Sequence, residues 1–197
     1  MGDSLYLSLW FPSFDEADIL SRAVGVLRQI PFSAAKPGVT HMAIQPVSWS
    51  EPTILERRFR PGVAPEEAVA DVAEFLHDDY AYVFEAYWDL WTPPAAPGRW
   101  LLEPSLLRVT AHGMQFEESA AEETGHIQVD FGLDTTFLHE EVALTAEAER
   151  NVRSNVQKLV EFTANVEKNA GATGRLLWSE SEENVAQKLI NRLQRVQ

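Results

Sequence analysis

The sequence predicts an α+β domain, and three patterns carry that prediction. Apolar residues alternate with polar ones along residues 5–11 and 80–91, the period-two mark of strands with one buried face. They recur at helical spacing in the segments that follow Ser13, Pro65 and Thr145. Turn residues separate the two kinds of segment: Lys36-Pro37-Gly38, Pro61-Gly62, and the run of Pro93, Pro94 and Pro97.

In the first strand Leu5, Leu7, Leu9 and Phe11 point one way, and Tyr6, Ser8 and Trp10 the other. Ser13 with Glu16 three residues later reads as a capping box. Leu20, Val24 and Leu27 then share a helical face, flanked by Ala23 and Ile30, and Pro31 ends that helix. Residues 41–49 and 53–60 read as a hairpin turning near Ser50-Glu51-Pro52, with Pro46 marking an edge or a bulge. Pro65 suits a first helical turn, and Glu66 and Glu67 complement the helix dipole. Val69, Val72, Ala73 and Leu76 form the buried stripe of that helix. With the strand at 80–91, the order through residue 92 is β-α-β-β-α-β, which predicts a ferredoxin-like split βαβ first half.

The second half predicts a related β-β-α-β-α order. Residues 100–116 and 125–138 read as strands joined by an acidic link. Residues 145–169 read as a long helix with Val152, Val156, Leu159, Thr163 and Val166 on one face, ended by Gly171 and Gly174. A short strand at 175–178 follows. Ser179 with Glu182 then suggests a second capping box, before a helix carrying Val185, Leu189 and Leu193. This half is expected either to extend the first sheet or to form a second one facing it. Residues 1–197 are thus expected to be one compact domain, or two packed halves, 1–92 and 99–197.

An apolar content of 45% suffices for a sizeable core. The absence of cysteine excludes disulfides, thiolate catalysis, zinc–thiolate sites and iron–sulfur clusters, and it fits a cytoplasmic setting. The N-terminus has no basic n-region and no stretch approaches about 18 uncharged apolar residues, so neither a signal peptide nor a membrane partner is expected. The net charge is −14 and unevenly placed. Residues 61–150 hold 19 acids against Arg99, Arg108 and Arg150, a net of −16. Such a surface repels nucleic acid and steers a basic protein partner. Glu117, Glu118, Glu122 and Glu123 in the acidic link are the candidate partner-binding residues.

With Leu5, Leu7 and Leu9 turned to the helices, the opposite sheet face collects Tyr6, Ser8 and Trp10, then His41, Gln45 and Trp49, then Glu85, Tyr87, Asp89 and Trp91. A Trp-rich face of this kind is core covered by the second half, a subunit interface in a homodimer, or a small-molecule pocket between the halves. Each alternative predicts partial burial of Trp10, Trp49 and Trp91. On strand 125–138 the residues His126, Gln128 and Asp130 share the polar phase, and Arg108 and His112 share that of the preceding strand. Together Arg108, His112, His126 and Asp130 form a candidate His–Asp–Arg cluster for a ligand or for acid–base work. The competing interpretation is the solvated face of an antiparallel sheet.

Glu74 and His77, and Glu123 and His126, have a Glu-x-x-His spacing, but matches to so loose a pattern arise by chance. His139-Glu140-Glu141 lacks the second histidine of a zinc-protease motif, so no metal is predicted. No phosphate-binding loop, dinucleotide fingerprint or nucleophile elbow occurs, and no cofactor is predicted. The expectation is a non-catalytic domain whose acidic surface meets a protein partner, for example a neutraliser of a basic toxin. The alternatives are a small-molecule-binding protein or acid–base enzyme, and a homo-oligomeric structural protein.

Overall fold

The computed structural model of the chain describes residues 2–93, 98–139, 145–180 and 185–194. Their core is a single seven-stranded sheet. In chain order its strands are β1 (Ser4–Trp10), β2 (Val39–Pro46), β3 (Leu55–Arg58), β4 (Tyr80–Thr92), β5 (Leu101–His112), β6 (Ile127–Leu133) and β7 (Gly174–Ser179). In space the order is β3-β2-β4-β5-β6-β1-β7, with each neighbouring pair antiparallel. The helices are α1 (Ile19–Leu27), α2 (Pro65–Ala70), α3 (Ala120–Thr124), α4 (Thr135–Leu138), α5 (Ala146–Ala170) and α6 (Val185–Gln194).

Strand alternation assigns the two faces. Leu5, Leu7 and Leu9 of β1, Phe84, Trp88 and Leu90 of β4, Val109 of β5 and Phe131 of β6 are buried in one hydrophobic core with Val152, Val156, Leu159 and Phe162 of α5. At about 1.5–3 kcal/mol for each large apolar side chain taken out of water, this helix-covered face dominates the stability of the fold. Trp88, Phe131 and Phe162 form its aromatic centre, with ring centroids 5.6–6.1 Å apart. Helix α5 starts at Thr145, whose hydroxyl accepts from the Ala148 N–H, and it ends at Gly171, which sits in the left-handed region at φ 76°.

The mixed α+β class holds, but the ferredoxin-like arrangement does not. The elements through residue 92 come in the expected order, yet a split βαβ unit keeps its four strands as consecutive neighbours. Here β1 lies between β6 and β7, with β5 and β6 separating it from β4. The reason is the β4–β5 hairpin. Its register runs through twelve pairs, from Ala81 opposite His112 to Thr92 opposite Leu101, and it fills the edge of β4 that β1 would need. Helix α1 crosses over β5 to carry the chain from β1 to β2.

Among the described residues the second half forms no facing sheet. Its strands join the first, so the Trp-rich face is not a core between two halves. Three local expectations also change. Ser13 makes no capping box: its hydroxyl donates to Asp18, while Asp15 accepts the Ala17 N–H in a turn that delays α1 to Ile19. Strand β6 stops at Leu133, because Gly132 turns at φ 76° and residues 135–138 form a helical turn. Ser179 ends a strand and its hydroxyl donates to Asp134; Glu182 lies outside the described residues.

Candidate functional site

The face turned away from α1 and α5 is organised by one row of directly opposed residues that crosses all seven strands. It reads Arg58, His41, Glu85, Arg108, Asp130, Tyr6, Trp178. Arg108 donates to Glu85 at 3.0 Å and lies 3.7 Å from Asp130. His41 lies between Glu56, at 2.9 Å, and Glu85, at 3.6 Å. Alternating charges opposite one another are the favourable cross-strand arrangement. Arg108 is therefore shared by two carboxylates, which leaves little of its charge for an anionic ligand.

Beside this row a cleft of about 360 Å³ opens beneath the β5–β6 connection. Its floor comes from the sheet: Tyr6, Arg108, Thr110, His112, Gln128 and Asp130. Its lip comes from Trp49 on the β2–β3 loop and Glu117 on the β5–β6 loop. His112 is only 3% exposed. Its Nδ1 lies 3.1 Å from the Gly125 carbonyl, which only accepts, so Nδ1 carries the proton. Burial pushes the His112 pKa below the usual histidine value, which leaves Nε2 as an acceptor at neutral pH.

The lip is strained. Val47 stands at φ 57°, and Glu117, Glu118 and Ser119 follow one another at φ 45°, 54° and 76°. Left-handed backbone costs a residue with a side chain about 1–2 kcal/mol. The strained segments hold each other: Glu117 N–H donates to the Val47 carbonyl at 2.8 Å, and Trp49 N–H donates to Glu117 Oε1 at 3.1 Å. Val47 N–H donates to the Asp79 carbonyl, and Gln115 N–H to that of Asp78, which ties in the segment before β4. Strain of this kind persists where surrounding structure over-determines it, and it clusters at functional sites.

These three loops, 46–54, 73–80 and 113–126, bring together Glu51, Glu74, Asp78, Asp79, Glu117, Glu118, Glu122 and Glu123, and contain no lysine or arginine. Glu118, Glu122 and Glu123 are exposed, with no cationic partner among the described residues. Amid the acids, Val47 is 53% exposed and Trp49 49%.

The other predicted residues separate. Arg108, His112 and Asp130 line one cleft, whereas His126 does not reach it. His126 stacks on Phe14 with centroids 4.6 Å apart, and its Nδ1 accepts the Phe11 N–H at 3.0 Å. Burial lowers its pKa as well. Trp10 is partly buried at the edge of α3, where its Nε1–H donates to the Glu122 carbonyl. Trp91 sits far away, near the tip of the β4–β5 hairpin. Sequence reasoning missed the strained Val47, which carries no signal because β-branched residues disfavour that backbone region. It placed His41 and Glu85 on the right face without aligning them with Arg108. No protein-family model matches this chain, and neither a curated protein nor a solved structure matches it.

Proposed function

We propose that this chain is a non-catalytic binding domain that docks a basic protein on the acidic end of its sheet. The observation that supports this most is the joining of three loops that hold eight acids and no lysine or arginine, with exposed Val47 and Trp49 among them. Like charges brought together are unfavourable in the free protein, and an incoming basic surface relieves that repulsion. Apolar anchors within a charged rim are what a specific interface needs in addition to steering. The strained backbone of the lip presents both. The concrete form of this reading is a neutraliser of a basic toxin, an immunity protein, and charge and size support it.

The test is affinity capture with the parent chain and with a Glu118→Lys/Glu122→Lys/Glu123→Lys variant, at about 0.05 M and about 0.5 M salt. The expected result is a basic protein retained by the parent at low salt, released at high salt, and not retained by the variant, whose circular dichroism is unchanged. A captured partner indifferent to both salt and charge reversal overturns the proposal.

A further inference from the structure

The cleft beside the charge row holds an acceptor that the fold does not use. His112 is almost wholly buried, yet its ring lines the cleft. Its Nδ1–H is engaged by Gly125, and its Nε2 makes no hydrogen bond among the described residues. Glu117 is similarly half-used: its Oε1 accepts the Trp49 N–H. Of the charged groups that line the cleft, Arg108, Glu117 and Asp130 sum to −1, and Arg108 is also paired with Glu85 beside it, so the floor and lip favour a cation even with Arg108 present. Above them stands the half-exposed indole of Trp49, held edge-on by His112 and Phe116.

We propose that this cleft receives the guanidinium group of an arginine side chain presented by the basic partner. The group has five N–H donors in a flat fork and no acceptor, which complements His112 Nε2 and the second oxygen of Glu117. Its plane stacks on an indole, a contact that strengthens as water leaves. An ammonium group offers neither the fork nor the plane. This proposal rests on the docking reading above and names the anchor within it.

The experiment is an NMR titration of the labelled full chain with acetyl-Gly-Arg-Gly-amide, its citrulline counterpart and its lysine counterpart, observing the His112 ring. The arginine peptide is expected to shift the His112 Nε2 signal saturably. The citrulline peptide, equal in shape but uncharged, is expected not to, and Glu117→Gln to weaken binding about tenfold, the effect of one charge-assisted hydrogen bond. Equal binding of citrulline or lysine overturns the guanidinium assignment. A silent His112 beside shifts at Glu118, Glu122 and Glu123 overturns the cleft and leaves the docking reading standing. A responding His112 with capture indifferent to salt and charge does the reverse.

Discussion

Asn155, on α5, closes the free edge of β4 by accepting from the Trp91 N–H and donating to the Trp91 carbonyl, both at 2.8 Å. The ladder from β2 stops at Val39 opposite Ala86, and beyond it the edge of β4 away from β5 has no strand beside it among the described residues except at Phe32 and Ser33. The side-chain amide takes the place of that missing strand. It is itself buried and donates to Thr136 as well. Asn155→Leu leaves both Trp91 groups without partners, and an expected loss of about 2–4 kcal/mol follows from the cost of unpaired buried groups. For a chain of this size, that lowers the melting midpoint by roughly 5–15 °C. A loss below about 0.5 kcal/mol by urea denaturation would show that water serves this edge equally well.

Much of this architecture was legible in the sequence, and the limit lies at pairing. The alternation of Leu5, Leu7 and Leu9 is local, and so are Pro65 at the start of α2 and Gly171 after α5. Which strand lies beside which depends on contacts across the whole chain, and chain order alone pointed to a neighbour for β1 that the long β4–β5 hairpin displaces. The site divides in the same way. Arg108 and Asp130 share a polar phase that periodicity reveals, and the register sets them opposite each other. His126 has the same phase, yet at the strand end it turns to Phe11 and Phe14, a contact that no periodicity encodes.

The Arg108 row makes a charge-specific prediction. Arg108→Met removes two partners at once and leaves Glu85 and Asp130 on either side of an uncharged residue. Cross-strand ion pairs at partly exposed positions contribute about 0.2–1 kcal/mol each, so the expected loss is about 1 kcal/mol in low salt. Screening reduces it, and the gap to the parent narrows by half or more in 1 M salt. A loss that does not depend on salt would assign the role of Arg108 to packing of its aliphatic stem.

Tyr82 makes a prediction about alkaline pH. Its hydroxyl accepts the His77 N–H and donates to the Phe75 carbonyl, both at 2.8 Å, within a fully buried environment. Burial pushes its pKa from 10.0 up to about 12. The folded state therefore holds its proton where the unfolded chain has released it, and stability falls as pH rises from 10 towards 12. The full loss is on the order of 2–3 kcal/mol. Tyr82→Phe lacks that titration but leaves two backbone groups unpaired, so it is expected to be less stable by about 1–2 kcal/mol at pH 7. The difference between parent and variant is expected to shrink above pH 10. Parallel urea curves at neutral and alkaline pH measure it, and a constant difference would place the ionisation of Tyr82 at its ordinary value.

Gly113 determines whether the acidic end assembles. A β-carbon there would stand 2.1 Å from the Asp78 carbonyl oxygen and 2.5 Å from its carbon. Both are backbone atoms, so no side-chain rotation relieves the contact. The same crossing carries the Gly113 N–H to Tyr80 and the Gln115 N–H to Asp78, each at 2.8 Å. Gly113→Ala must therefore push the β5–β6 loop off the segment before β4, with an expected cost of about 2–4 kcal/mol from overpacking and lost hydrogen bonds. The damage is local in origin, since β5 and its partners keep their register up to His112. Hydrogen exchange is accordingly expected to accelerate first at residues 113–119 and at Val47 and Trp49, whose bonds depend on that docking. Uniform acceleration across the sheet would mean that the crossing supports the whole fold and not the binding end alone.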